Sequence, residues 1–378
     1  MKKITILALH LGFGGVEKYF SSLCKMLESD FEIEIISTYK LYDKPGFDFS
    51  NKIKITYLID GGPNRAEFKS AVKNKNIFRI IKEGIKSCKI LYQRRNRNKE
   101  AIKRIESDYI ISSTIFQNKL ISKYAKKGII NIATEHNYHN NDEKYISRVL
   151  NSIKGFDYFI PVSQNLQNFY KKRINNSRTK CVYIPNVLDE LPSKRSKSNN
   201  KNLLCVGRLS AEKGQKDLIE VMENLIKIDN SYKLTMVGGG PEQESIETLV
   251  DERGLQNVVE ITGFLKNDEV EKHYLESSML LLPSHTESFG MVLIEAMSYG
   301  LPCIAFDCAD GARTILADDR GILIPTRDKD AMVQEIIKLS EDEKRRREII
   351  DSGLQYCEQY LASNVKKNWL ELLGGKYE

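Results

Sequence analysis

No stretch of this 378-residue chain approaches the ~18 consecutive apolar residues of a membrane span, so no transmembrane helix is expected. Cysteine is present seven times but never in CxxC spacing. Cys24, Cys88, Cys181, Cys205, Cys303, Cys308 and Cys357 mostly lie in apolar segments and read as core packing in a reduced cytoplasm, without a zinc site. The glycine cluster at Gly238 is followed by no Lys-Ser/Thr pair, which excludes a Walker loop. The N-terminal MKKITILALHLGFGG has the charge and apolar run of an export signal but no small-x-small cleavage site. It reads as a first β-strand followed by a Gly-rich turn. There, Gly12, Gly14 and Gly15 superficially match a dinucleotide fingerprint, but the third glycine is misplaced, and an NAD site is disfavoured.

What is present is a split charge. Residues 1–190 hold 34 Lys/Arg against 19 Asp/Glu, a net of +15, whereas the remainder holds 24 against 32, a net of −8. The basic excess concentrates between Asn64 and Arg104. An anionic partner is therefore expected for the first half, either lipid or nucleic acid. The segment interleaves Phe78, Ile80, Ile81, Ile85, Cys88, Ile90 and Leu91 with basic residues, which suits a helix on an anionic membrane surface. An ordinary amphipathic helix with a solvated basic face fits equally well.

Apolar runs repeat in a strand–helix rhythm in both halves. In the first they are KITILAL, EIEIIST, KITYLI, DYIISS, NIATEH, DYFIPV and CVYIP. In the second they are LLCVG, YKLTMVG, VVEIT, MLLLP, PCIAF and GILIP. This is the βαβ pattern of parallel sheets. The length exceeds the ~250–300 residues of a single core, so two domains are expected. The polar stretch Asp189 to Asn202 reads as the linker. The expected division is 1–190, 191–355 and a C-terminal helix at 356–378 that crosses back to the first domain.

Chemistry is expected at the carboxyl ends of strands. VGRLSAEKGQ places Arg208 and Lys213 between a strand and a helix near Glu212, where cations and free amides attract an anion. VGGGPEQ supplies Gly238, Gly239 and Gly240, a backbone that a ligand can approach, though a plain tight turn explains it as well. ATEHNYH ends a strand with His136, one of five histidines in the chain. A structural or surface histidine is the bland alternative.

The most informative stretch is SHTESFGMVLIEAMSYGLP, Ser284 to Pro302. Ser288 reads as an N-cap, with a helix from Gly290 to Gly300. Glu287 precedes that helix and Glu295 sits in its second turn. Amides of Phe289, Gly290, Met291 and Val292 lack partners within the helix. Carboxylates that accept from hydroxyls, beside amides that attract phosphate, match the sugar and diphosphate of one ligand. A capped helix with two stabilising acids is the alternative. Asp328-Lys329-Asp330 has the spelling of an ion-binding Asp-x-Asp pair, but it follows ILIPTR at a helix start, where capping is expected.

With Glu287 and Glu295 in the context PSHTESFGMVLIEAMSYGLPCIA, and with GRLSAEKG, VGGGPE, TGF, GGVEKY and IPNVLD in order, the sequence resembles the GT4 family of retaining glycosyltransferases over nearly its whole length. The resemblance implies the GT-B fold: two Rossmann-like α/β domains whose parallel sheets face across a cleft. The first would bind the acceptor and the second the donor. It implies that Arg208 and Lys213 neutralise the diphosphate of a nucleotide sugar, most simply UDP-linked. Glu295 would hold the ribose and Glu287 the transferred sugar. Gly239, Phe289, Gly290, Met291 and Val292 would offer backbone groups, with Gly263 and Phe264 near the base. Gly15 and His136 would reach the phosphate and sugar from the first domain.

Catalytic roles fall to Glu287, His136, Arg208 and Lys213, with no metal and no cofactor beyond the donor substrate. The acceptor would be a saccharide, lipid-linked in surface-polysaccharide assembly, and the enzyme would sit in the cytoplasm at the inner face of the cell membrane through the basic segment 64–104, without a nucleic-acid partner. Two competing readings stay open at this point: another enzyme of the same fold, either an inverting transferase or a sugar-nucleotide epimerase, and a non-enzymatic protein that binds nucleic acid.

Overall fold

The computed structural model describes all residues except 176–177, 198–199, 309 and 375–378. The chain forms two compact units, one of residues 1–161 and 167–183, the other of 162–166 and 184–378.

The first unit is built on a sheet of β1 (Lys3–Ala8), β2 (Glu32–Lys40), β3 (Lys54–Asp60), β4 (Tyr109–Ser112), β5 (Ile130–Glu135), β6 (Tyr158–Pro161) and β7 (Lys180–Cys181), ordered β3-β2-β1-β4-β5-β6-β7. Every named pairing in it is parallel. Its helices are α1 (Gly15–Leu27), α2 (Arg65–Lys73), α3 (Ile77–Arg104), α4 (Ile115–Tyr124), α5 (Glu143–Ser152) and α6 (Gln164–Lys171), the last spanning the division between units.

The second unit repeats the plan with β8 (Asn202–Val206), β9 (Lys233–Val237), β10 (Val259–Gly263), β11 (Met279–Leu282), β12 (Cys303–Phe306) and β13 (Ile322–Ile324), ordered β10-β9-β8-β11-β12-β13 and again parallel. Its helices are α7 (Lys216–Ile228), α8 (Gln243–Glu252), α9 (Asn267–Glu276), α10 (Met291–Ser298), α11 (Asp310–Leu316), α12 (Lys329–Glu341), α13 (Glu343–Cys357) and α14 (Ala362–Leu373). Strands such as Met279–Leu282 and Cys303–Phe306 are buried at every residue, as expected of parallel strands covered on both faces. Leu203, Leu281, Ile304, Met222 and Met332 anchor one core that joins the sheet to its helices.

Both sheets have the doubly wound order, in which the chain reverses direction across the sheet between the first and fourth strands. This is the architecture of two Rossmann-like α/β sheets that defines the GT-B fold.

Local details differ from the sequence reading. The segment expected as a linker lies, in its described part, against the second unit, and residues 198–199 fall outside that part. Ser196 N donates to Tyr299 O at 2.8 Å, Ser196 Oγ to Ser277 O at 2.7 Å, and Asn200 Nδ2 to Glu276 O at 2.9 Å. The chain passes between units near Tyr183 instead. The C-terminal segment, as far as it is described, groups with the second unit, where Leu188 N donates to Tyr360 O and Ala362 N to Leu188 O.

Candidate active site

The loops after β8 and β11 leave neighbouring strands at the switch point of the second sheet, where open α/β sheets bind ligands. The helix expected near Glu212 is a single tight turn, Ala211–Lys213, ended by Gly214 in the left-handed region (φ 66°), and α7 starts only at Lys216. Gly214 is required twice: for that backbone conformation and because a Cβ there would lie 2.3 Å from Pro283 O. The close approach lays one loop on the other, and His285 N donates to Glu212 O at 2.9 Å.

Two sequence-distant side chains meet as a result. Lys213 Nζ donates to Glu287 Oε1 at 2.6 Å, and Ser284 Oγ donates to the same oxygen at 2.7 Å. Glu287 is 7% exposed, so the charge pair is largely withdrawn from water. Arg208 remains exposed and pairs with Glu212. Partial burial pushes the Glu212 carboxyl up, but hydrogen bonds from Ser210 and Arg208 outweigh it and hold the group at about 2. Gln215 Nε2 donates to Arg208 O at 3.0 Å and secures the base of this loop.

Ser288 is not the cap of α10. Gly290 occupies that position with φ 99°, a conformation that a β-carbon disfavours, and no side chain caps the helix. Phe289 turns inward, 5.5 Å from the Tyr360 ring, so only its backbone can serve a ligand. The amides of Met291 and Val292, in the first turn of α10, have no partner within the helix. Glu295, in the second turn, accepts from Tyr274 Oη on α9 at 3.2 Å. Tyr274 stacks on Tyr299 with centroids 4.9 Å apart, and burial together with the Glu295 charge holds its phenol well above the usual range. The remaining glycine loops adjoin β8: Leu209 N donates to Gly239 O at 3.0 Å and Gly238 N to Gly263 O at 2.9 Å. The Phe264 ring covers Gly239, where a Cβ would fall 2.8 Å from it.

Asp328 caps α12 by accepting from Ala331 N at 2.9 Å, as expected of that Asp-x-Asp stretch. Among the described residues, no group of three His, Cys, Asp or Glu is placed to hold a metal ion.

Residues 188–355 match the sequence profile of the family described as Glycosyl transferases group 1. The matched stretch lies within the second unit and includes the loops after β8 and β11. The chain is 24% identical over 379 residues to the GalNAc-alpha-(1->4)-GalNAc-alpha-(1->3)-diNAcBac-PP-undecaprenol alpha-1,4-N-acetyl-D-galactosaminyltransferase of Campylobacter jejuni, covering 99% of this chain and 98% of that protein. It is 22% identical over 371 residues to the exopolysaccharide phosphotransferase SCO2592 of Streptomyces coelicolor, of whose length it spans only 39%. Among solved structures, S. aureus TarM, crystallised with fondaparinux, alpha-GlcNAc-glycerol and UDP, superposes with a TM-score of 0.78 at 15% identity, over 99% of this chain and 100% of that one. The likeness extends the shared fold to both units.

The first unit holds the other two residues singled out from the sequence. Gly15 opens α1, with open space where a Cβ would project. One turn on, the Tyr19 ring meets His136 edge-on at 4.6 Å, so the start of α1 and the end of β5 converge. His136 Nε2 lies 2.9 Å from Thr134 Oγ1, and burial pulls its imidazole down to about 3, so it is neutral near pH 7. The adjacent Glu135 is buried and accepts from Asn137 N at 2.8 Å and Tyr145 Oη at 2.9 Å, which fixes the loop that carries His136. Burial raises the Glu135 carboxyl.

Sequence reasoning missed Ser284, although it directly follows MLLLP and opens the stretch already singled out. It also missed Tyr274 and Tyr299. Tyr274 is 21 residues from Glu295 on another helix and carries no local signal.

Proposed function

We propose that the chain is a retaining, metal-independent glycosyltransferase that moves a hexose or N-acetylhexosamine from a UDP-sugar to a lipid-linked saccharide. The observation that carries this reading is the Lys213–Glu287 pair, 2.6 Å apart on the two switch-point loops of the stretch that matches the group 1 glycosyl transferases. UDP in the TarM crystal and the undecaprenol-linked acceptor in the name of the Campylobacter relative support the donor and acceptor classes.

Breaking the anomeric C–O bond places positive charge on the sugar and negative charge on the departing diphosphate. Lys213, the exposed Arg208 and the first amides of α10 are fixed positive groups for that leaving charge. Pre-placed groups of this kind stabilise developing charge without reorganising at the moment of reaction. Glu295, held by Tyr274, would accept from ribose hydroxyls. Two donors already occupy Glu287 Oε1, which reduces its nucleophilicity and favours a sugar-positioning role over a covalent one. Retention would follow from attack on the face the diphosphate leaves, with a departing phosphate oxygen taking the proton of the acceptor hydroxyl.

A panel of nucleotide sugars, scored by thermal shift and by slow donor hydrolysis with and without a chelator, tests this reading. Stabilisation by a UDP-sugar, chelator-insensitive turnover and an α-configured product from an α-donor by NMR are expected. Loss of turnover on chelation, or an inverted product, refutes the corresponding part.

A further inference from the structure

The outer face of α3 combines features with no role inside the first unit. Ile77, Phe78, Ile81, Ile85, Cys88 and Tyr92 are all exposed, Phe78 to 89%. At ~100° per residue these six fall within an arc of about 100° on a helix of 28 residues. They form one continuous apolar stripe turned to solvent. Along one flank of it run Lys82, Lys86 and Lys89, all exposed.

Between residues 77 and 99 there are eight Lys or Arg and a single acid, Glu83. That acid turns inward. It is 8% exposed and accepts from Asn64 Nδ2 at 2.8 Å, while Ser87 Oγ donates to Asn64 Oδ1 at 2.8 Å. The buried Asn64, just ahead of α2, thus fixes which side of α3 faces the protein. Over Ile77–Tyr92 the face left outside carries apolar and positive groups, and the other acid of α3, the exposed Glu100, lies beyond the stripe and pairs with Lys103. No helix among the described residues is long and apolar enough to cross a membrane, so this helix can lie on a bilayer but not span it.

We propose that the outer face of α3 docks the protein on an anionic lipid surface. The stripe enters the headgroup–acyl boundary, and the lysines reach lipid phosphates along its flank. A second copy of the chain is the less suitable occupant, because it would set the lysine flank against its own equivalent. The proposal does not rest on the sugar-transfer reading, since its test contains no sugar.

The full chain is mixed at low salt with vesicles of equal parts phosphatidylglycerol and phosphatidylcholine, or of phosphatidylcholine alone, and bound protein is measured by flotation. Binding is expected only to the anionic vesicles, and it should weaken as salt rises. Lys82→Gln/Lys86→Gln/Lys89→Gln should weaken it on the order of a hundredfold, at the contribution expected per basic contact. Ile81→Ser/Ile85→Ser should weaken it about tenfold or more while leaving the melting temperature unchanged. No binding of the parent chain, or binding by both variants as strong as the parent's, overturns the proposal. So does a concentration-dependent dimer in light scattering that Ile81→Ser/Ile85→Ser dissociates while vesicle binding stays unchanged.

Discussion

Replacing Lys213 with Ala should separate the stability of the second unit from its chemistry. Glu287 Oε1 lies 2.6 Å from Lys213 Nζ, a distance at which unit charges attract by about 6 kcal/mol at an effective dielectric near 20. Withdrawing both groups from water offsets most of that attraction, so the intact pair adds little net stability. Removing one partner is different. The carboxylate, 7% exposed in the parent chain, keeps only the Ser284 hydroxyl as a side-chain donor among the described residues. Breaking a fully buried pair costs about 3–5 kcal/mol. The Lys213 side chain is 29% exposed, so water can enter the space it leaves, and about 2–3 kcal/mol is expected here. The measurement is the urea midpoint at unchanged slope. Lys213→Ala/Glu287→Gln should recover most of that loss, because a neutral amide no longer demands a counter-charge. Donor turnover should not recover. It should stay about 100- to 1000-fold down, the scale for losing one group that stabilises developing charge. If the double variant is no more stable than Lys213→Ala, the pair is not arranged as described. If Lys213→Ala turns over the donor at the parent rate, the loop after β8 does not hold the diphosphate.

The remaining predictions concern neighbouring residues. Tyr274→Phe removes a hydrogen bond to a carboxylate, worth about 1.5 kcal/mol, and should raise the donor KM up to about tenfold with kcat little changed; Glu295→Ala should raise it further, and unchanged donor affinity in both variants would remove Glu295 from the site. Gly214→Ala combines a left-handed φ with a Cβ 2.3 Å from Pro283 O, so it should cost at least ~1–2 kcal/mol in denaturant unfolding and lower turnover beyond that loss by displacing Lys213. His136 is held at about 3 in the folded chain, against ~6.5 when unfolded. Between those values the unfolded state binds more protons, so stability falls as pH falls, by up to ~1.4 kcal/mol per pH unit. His136→Gln should remove that dependence. Glu135, with its raised carboxyl, acts with the opposite sign in both chains, so their difference curve reports His136, and a flat difference refutes the shift.

The strands were legible because parallel strands covered on both faces must be apolar at every residue. MLLLP and PCIAF therefore stand out from any amphipathic background, and the strand–helix rhythm implied parallel sheets, while the Rossmann-like order of each was implied by the family resemblance. The charged members of the candidate site were legible for a related reason: Arg208, Lys213, Glu287 and Glu295 follow strand ends in sequence. What stayed hidden depends on distance along the chain. The contact of Lys213 with Glu287 requires Gly214 to lie on Pro283, a backbone approach 69 residues apart in number that no local pattern encodes. Ser288 has the chemistry of a cap, yet the turn enters α10 with φ 99°, which selects Gly290 instead. On α3 the composition announced apolar and basic residues together, but only the structure shows that Glu83 faces inward and leaves the outer face over Ile77–Tyr92 without an acid.

The split of charge between the halves also takes on a different meaning in the fold. Residues 191–378 carry a net of −8, yet the candidate diphosphate site lies among them. Anion binding is decided within the ~8–10 Å over which charges act through salt solution, not by the net charge of a domain. At the switch point of the second sheet, the β8 loop brings Arg208 and Lys213, paired there with Glu212 and Glu287, while further acids of that unit lie on helices such as α8 and α9, away from the loop. The first unit has the reverse distribution. Its switch-point loops, Leu9 to Gly14 and Ser113 to Thr114, contain no Lys or Arg, and its excess sits instead along α3. A small, doubly charged ligand is best held by a few cations fixed at one point, and an extended anionic surface by many spread along a helix. The same strand order in both units leaves the sheets indifferent to that choice, so the division of labour resides in the loops of one unit and the outer helix of the other.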